Sequence, residues 1–332
     1  MIRLVDPLTN PDWDSLVAGH PDATIFHSSA WASVLHDSYG HEIFGLIDVH
    51  GGSTHGLLPI AGVRSWLTGR RGVSLPFSDH AGVLEFRQKS ASRLANAARL
   101  LARDRGWHHV ELRTRRGARP TFIGHELDLS EFPACLPAPV RRGVQKAVRS
   151  GLTTDVQSGR DALEEFYRLH VATRRRHGVP PQPWKFFESI QRHVLSNGLG
   201  FVVLARSGSQ AIAASVFLVW GHSAVFKFGA SDLTFQSLRP NNLVLWTGLR
   251  EAARRGAQFV DFGRTSPGNI GLLRFKRGWS TREFPIHYER QTPNGESLPA
   301  MAKEAGWSNG ICRNLPGTLN RWFGAAAYRH LD

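Results

Sequence analysis

The stretch FVDFGRTSPGNIGLLRFKRGW, residues 259 to 279, sets Asp261, Arg264, Arg274, Lys276 and Arg277 between apolar runs. One acid and four cations so close to glycine turns describe either a loop with a charged solvent face or a pocket in which charge is handled. Three further stretches carry chemistry. SLPFSDHAGVL (74–84) places Asp79 and His80 on a turn after an apolar strand, which fits an acid/base pair and equally a carboxylate closing its own turn. In FYRLHVATRRRHG (166–178), Tyr167, His170 and Arg174 recur at i, i+3 and i+7, one helical face mixing rings with charge. RPNN (239–242) adds Asn241 and Asn242.

Several active sites are excluded. There is no Gly-Lys dipeptide and so no P-loop, no G-x-S-x-G elbow, no H-E-x-x-H and no C-x-x-C. The 16 histidines lack metal-ligand spacing, and His108 and His109, adjacent on a strand, point to opposite faces. No metal site and no nucleophilic triad is indicated.

The elements that must hold these residues come next. With 332 residues, 41% apolar and 20% charged, the chain is globular and long enough for two cores. Cys135 and Cys312 are the only cysteines, which excludes a disulfide framework and favours a reducing compartment. MIRLVDPLTN lacks the features of a signal peptide, and the longest apolar run, 211–220, is about half a membrane span. A soluble, cytoplasmic monomer is expected. Lys and Arg number 41 against 27 Asp and Glu, a formal charge of +14. That balance suits a phosphate-bearing partner such as RNA, a nucleotide carrier or lipid headgroups, and is also common where nothing anionic is bound.

The sequence repeats itself. ARDRGWHHVEL (102–112) aligns with AARRGAQFVDF (252–262) at an offset of 150 residues, matching Gly106 with Gly256 and Glu111 with Asp261. Each copy reads as a helix, a glycine stop and a strand carrying an acid. FGLIDVHGGSTHGLLPI (44–60) and FVVLARSGSQAIAASVF (201–217) match as strand, turn, strand at an offset of 157. The expected fold is α+β, two lobes with mixed sheets, bounded near the Pro-rich segment and basic helix of 133–156. On that helix Arg142, Lys146 and Arg149 share one face, which is either a solvated surface or a ridge facing phosphates.

Taken together, FHSSAWASVLHDSYG (26–40), residues 54–82, VRRGVQKAVRSGL (140–152), residues 166–183 and 256–279 resemble the FemABX group of peptidyl-aminoacyl transferases and their relatives. The order and spacing carry the resemblance, over about 260 residues by alignment of these segments. It implies two tandem GNAT-like lobes: 1–145 on the acceptor side, 146–295 on the donor and catalytic side, and a helical tail, 296–332, returning to lobe 1. It implies transfer of an aminoacyl group from aminoacyl-tRNA to an amine of a cell-wall precursor or peptide-like acceptor, with peripheral contact to a membrane bearing a lipid-linked precursor. No cofactor is implied beyond this co-substrate.

In the family the catalytic lysine falls in a Phe-Lys-x-x-aromatic element, here Phe275 to Trp279, so Lys276 is the implied catalytic cation. Amine attack on an activated ester needs no protein nucleophile, and a fixed ammonium can stabilise the resulting oxyanion. Asp79, Glu111 and Asp261 are the carboxylates available to take the proton. Donor binding is assigned to Arg264, Arg142, Lys146, Arg149, Asn241 and Asn242. Acceptor binding is assigned to Asp79, His80, Glu111, Arg113, Tyr167 and Arg174. An acyl-CoA or acyl-carrier donor is the alternative. It would want a pyrophosphate loop of R/Q-x-x-G-x-G/A form at a helix start, and the only literal match, RWFGAA (321–326), falls in the tail. A non-catalytic module of the same fold is a third reading.

Overall fold

A computed structural model of the chain describes residues 1–66, 68–299 and 317–330. In chain order the elements are β1 (Ile2–Val5), α1 (Trp13–Ala18), α2 (Ser29–Tyr39), β2 (Glu42–His50), β3 (Ser53–Ser65), β4 (Gly69–Val73), β5 (Leu84–Glu85), α3 (Ser90–Asp104), β6 (His109–Thr114) and β7 (Phe122–Asp128). There follow α4 (Ala138–Arg149), β8 (Thr153–Gln157), α5 (Arg160–Arg176), α6 (Trp184–Ile190), β9 (Gly200–Ser207), β10 (Gln210–Trp220), β11 (Ser223–Ser231), α7 (Pro240–Arg254) and β12 (Phe259–Asp261). The last elements are α8 (Ile270–Arg277), β13 (Arg282–Gln291), β14 (Ser297–Leu298) and α9 (Gly317–Ala327).

The chain divides into two compact units. Unit 1 holds Met1–Gly124, the described residues from Phe284 to 299, and 329–330; unit 2 holds His125–Glu283 and 317–328. In unit 1 the strands run β1-β2-β3-β4-β6-β13, with β4 and β6 parallel and the other pairs antiparallel. In unit 2 they run β8-β9-β10-β11-β12-β7, with β11 and β12 parallel. Unit 1 is built around Leu58, Ile60, Leu94, Ala98 and Trp107, and unit 2 around Phe201, Phe217, Leu249, Val260 and Trp279.

The sequence repeat is a repeat of register. Phe44 pairs with Ile60 across β2–β3, and Phe201 with Phe217 across β9–β10. His109, Val110 and Glu111 are bridged to β4 as Phe259, Val260 and Asp261 are bridged to β11. α3 and α7 each span 15 residues at the 150 offset and stop alike. Gly106 and Gly256 take φ of 62° and 89°, letting Trp107 N–H reach the Ala102 carbonyl at 2.8 Å and Ala257 N–H reach Ala252 at 3.0 Å. This is the 6→1 bond of a glycine-terminated helix.

Two expectations need correction. The boundary lies not near 145 but at 124/125 and 283/284, because the halves exchange a strand. β7, which follows β6 in sequence, pairs with β12, while β13, which follows α8, pairs with β6. The tail returns to the first lobe only at its end, 329–330, and its helix does not. α9 belongs to unit 2 and packs on α5, because its inner face fits the α5 terminus. Gly324 comes so near Pro181 that a Cβ would stand 2.1 Å from that carbonyl oxygen, and Arg174 Nη2 donates to Tyr328 Oη at 2.6 Å. In unit 1, His330 accepts from Trp66 Nε1 at 2.8 Å. Residues 300–316 of the expected tail lie outside the described residues.

The two units trade volume at matched positions. Ala98 shares a core cluster with Ile60, whereas at the 150 offset stands Gly248, whose added Cβ would lie 2.0 Å from the Phe217 ring. Gly248→Ala should therefore destabilise the protein by about 1–3 kcal/mol through overpacking. Gly248→Ala with Phe217→Ile, which recreates the unit 1 pair, should be more stable than the sum of the single losses, measured by urea unfolding. Simple additivity would show that the two residues are not packed against each other.

Candidate active site

In unit 2 a parallel pair comes apart. β11 is bridged to β12 only from Ser223–Phe259 to Val225–Asp261. Beyond Asp261 the chain follows β7 instead, with Phe262 N–H on the His125 carbonyl at 2.8 Å. β11 runs on to Ser231, paired on its other side with β10 through a bulge at Lys227. Its edge from Phe226 onward has no strand partner among the described residues, and an open edge beside a bulge can receive an extended ligand.

The equivalent opening in unit 1 is filled by the chain itself. After β4, Ser74 N–H bonds the Glu111 carbonyl at 2.9 Å and Ala81 N–H bonds that of Arg113 at 3.2 Å. Arg113, 1% exposed, donates from Nε to Glu111 at 2.9 Å and from Nη1 to the Ser78 carbonyl at 3.1 Å, and lies over the Tyr288 ring at 4.7 Å. Glu111 and Arg113 thus pair with each other and pin segment 74–82. Buried charges are tolerable only when paired in this way, so the assignment of this pair to acceptor binding is corrected to a structural one.

At the mouth of the unit 2 opening lies a buried polar cluster. Asn269 caps α8, accepting from Leu272 N–H at 3.1 Å, and the helix buries Leu273 and Lys276 on its inner face. The segment that read as a charged loop or a pocket is therefore helical at its basic end. Lys276 is only 4% exposed, and its Nζ donates to the Gly263 and Arg264 carbonyls at 2.7 and 3.0 Å. Buried Asp261 accepts from Gly263 N–H at 2.6 Å. One glycine is thereby gripped by an acid and by a cation, which fixes the path of the loop carrying half-buried Arg264.

His125, fully buried on β7, completes the cluster. Thr281 donates its hydroxyl to the Lys276 carbonyl at 3.1 Å, so its oxygen is left to accept from His125 Nδ1 at 3.3 Å. That arrangement puts the imidazole proton on Nδ1 and a bare lone pair on Nε2, which has no hydrogen-bond partner among the described residues. Burial first, and then the Lys276 ammonium, pull the His125 pKa down to about 4. Buried Thr265 Oγ1 is likewise without a partner among the described residues. Sequence reasoning missed His125, Thr281 and Lys227. His125 and Thr281 flank the strand exchange, and nothing local in the sequence marks it.

The other assigned residues are distributed as follows. Arg142, Lys146 and Arg149 are exposed on α4, whose inner face, Val140, Gly143, Val144 and Ala147, is buried. Gly143 allows α4 to approach α7 so closely that a Cβ would stand 2.8 Å from Asn242 Nδ2. Asn242 therefore packs a helix pair rather than facing a donor. Exposed Asn241 donates to Ser231 Oγ at 3.2 Å. Tyr167 and Arg174 belong to unit 2, whereas the other residues assigned to the acceptor belong to unit 1. Tyr167 Oη donates to the Gln182 carbonyl at 3.1 Å and burial raises its pKa to about 12. Arg174 Nε donates to the Pro180 carbonyl at 3.1 Å.

In unit 1, Asp79 is half-buried and accepts from Tyr288 Oη through its backbone carbonyl at 3.1 Å. His80 is buried and lines a cleft of about 340 Å³ together with His20, His27, Leu112, Arg115 and Arg116. Arg115 lies over the Phe284 ring at 4.0 Å. Among the described residues no cluster of side chains has the makings of a metal site.

Residues 138–277 match the family described as an acetyltransferase (GNAT) domain. The solved structure of FemX is 15% identical and superposes with a TM-score of 0.67, over 85% of this chain and 95% of that one. A tandem GNAT protein from the clavulanic acid biosynthesis pathway is 12% identical, with a TM-score of 0.55 over 90% and 100% of the two chains. L-PGS from Bacillus licheniformis is 11% identical, with 0.56 over 86% and 93%. No curated protein sequence matches. The chain carries the duplicated GNAT fold seen in FemX, and the family match falls in its second half.

The cluster predicts its own titration. Because the folded-state pKa of His125 is depressed, its contribution to stability is complete above the unfolded value near 6.5 and is lost as pH falls towards 4. His125→Gln should flatten that part of the stability profile. In Lys276→Met the His125 pKa, followed by NMR, should rise yet stay below 6.5, since burial is the larger cause. An unchanged value would show that the ammonium does not act on the ring.

Proposed function

We propose that the protein forms amide bonds, moving an aminoacyl group from aminoacyl-tRNA to an amine of a cell-wall precursor or other peptide-like acceptor, with the chemistry in unit 2. The observation that carries this reading is Lys276, a buried ammonium held by the two carbonyls that follow β12, at the place where β11 and β12 separate. The amine nitrogen attacks the ester carbonyl and a tetrahedral oxyanion forms. The carbon–oxygen bond to the ribose then breaks, and the ribose oxygen leaves with the proton the amine gives up. No protein nucleophile is needed.

Bonded to neutral carbonyls, Lys276 contributes a cationic field at low local dielectric where negative charge develops. Of the candidate carboxylates only Asp261 belongs to this cluster, where it fixes Gly263. The outer face of α8 leaves Ile270 and Phe275 61% and 40% exposed beside Arg274, a mixture suited to stacking a nucleobase next to phosphate. On the acceptor side, the cleft of unit 1 is lined by Arg115 and Arg116 together with Asp22, Glu85 and Glu289, a mixed charge that suits an acceptor bearing both an anionic group and an amine. The open β11 edge also supports a second reading, an acyl-CoA donor whose pantetheine chain lies along it as an extra strand.

Lys276→Met should reduce turnover by on the order of 10²–10³ at saturating donor and acceptor. It should also cost about 1–3 kcal/mol of stability, because a buried and a half-buried carbonyl lose their donor. Wild-type turnover in a folded variant would place the chemistry elsewhere.

The donor is tested through the α4 ridge. Binding of charged tRNA should weaken steeply with salt as counterions are released. The Arg142→Ala, Lys146→Ala, Arg149→Ala triple variant should lower the log–log salt slope by roughly 0.7–0.9 for each phosphate that is no longer neutralised. An unchanged slope marks a solvated face, and stoichiometric acyl-CoA binding indifferent to tRNA would favour the second donor.

A further inference from the structure

We propose that the outer face of α9 docks on an anionic lipid bilayer, a surface property independent of the transfer chemistry. The helix is two-sided. Asn320, Gly324 and Tyr328, spaced by four, form the buried side, fixed by the Gly324–Pro181 approach and by Tyr328 Oη, which donates to the Pro180 carbonyl at 3.1 Å. The opposite side carries Leu319 and Trp322, 53% and 73% exposed, with Ala325 and Ala326 also in solvent. A tryptophan and a leucine one turn apart, facing water on a short helix, are the features of a segment lying in the headgroup layer, where an indole is well placed.

Charge selects the occupant. Exposed Arg321 borders the apolar strip on the side facing α5, and no acidic residue occurs from 317 to 330. The last turn of α5, against which α9 packs, adds exposed Arg175, while Arg174 and Arg176 are turned inward onto Tyr328 and Ser231, and the chain as a whole is +14. An apolar strip within basic surroundings complements anionic headgroups. A second copy of the chain fits less well. A stable dimer needs roughly 800 Å² from each partner, more than four side chains on an 11-residue helix supply. A bilayer needs only that those side chains enter its surface.

The test is cosedimentation of the full chain with vesicles of phosphatidylcholine alone or mixed with phosphatidylglycerol. Binding is expected only to the mixed vesicles and should weaken with salt. Leu319→Ser with Trp322→Ser should lower it about tenfold, with far-UV circular dichroism and melting temperature unchanged, since neither residue lies on the buried face. The α4 triple variant should bind vesicles at least half as well as wild type. Equal binding by wild type and the α9 variant would overturn the assignment, as would binding that does not distinguish the two lipids or no binding at all. A concentration-dependent dimer abolished by the α9 substitutions would make the face a self-interface instead.

Discussion

The separation of β11 from β12 after Asp261 is the constraint around which unit 2 is organised. A parallel pair that ends early exposes backbone groups on one strand and requires the other chain to find partners elsewhere. The structure meets the second demand with β7 and with side chains. Phe262 bonds to His125, Asp261 takes the Gly263 amide, and Lys276 takes the carbonyls of Gly263 and Arg264. Among the described residues no strand meets the first demand along β11 from Phe226, where only Ser231 at its end is taken by Thr173 and Arg176, and that open edge is what distinguishes a candidate site from a core.

Unit 1 shows the same geometry with the opening closed. The register of β4 on β6 repeats that of β11 on β12, yet segment 74–82 lies along β6 and the guanidinium of Arg113 ties it down. Even the start of α3 is stopped by its own chain, since Glu85 accepts from Ala91 N–H at 3.1 Å. A carboxylate there occupies the position where a helix N-terminus would otherwise attract an anionic ligand. The duplicated halves therefore differ less in fold than in which openings they keep.

Local periodicity made the repeat legible. Helix, glycine stop and strand recur with a fixed offset, and each signal is carried by neighbouring residues. Lys276 was reached through resemblance, and its burial could not be read from a run of three basic residues interrupted by one aromatic. The strand exchange was invisible for a physical reason. Whether β7 pairs with β6 or β12 depends on partners more than 100 residues away in sequence, and no local propensity encodes that choice. His125 became recognisable only once that pairing was known. The reverse failure occurred at Glu111 and Arg113, where residue types fit for chemistry turned out to serve each other.

The start of α7 bears on how a phosphate would be held. A glycine-rich loop presents consecutive backbone N–H groups at a helix N-terminus, and their alignment with the dipole makes the binding site. Here the residue before the helix is Arg239, in the left-handed region at φ 63°, and the first helical residue is Pro240, which has no N–H to offer. Exchanging glycine for arginine and an amide for proline gives up backbone donors and gains a guanidinium at the same helix end. Arg239 is exposed, and the Arg239 N–H is already given to the Gln236 carbonyl at 3.1 Å, so its side chain is what remains to meet an anion. Side-chain cations tolerate variable phosphate positions, as along a nucleic acid, better than a rigid amide cradle shaped for one pyrophosphate. The turn thus offers an anion a mobile guanidinium in place of a fixed amide cradle.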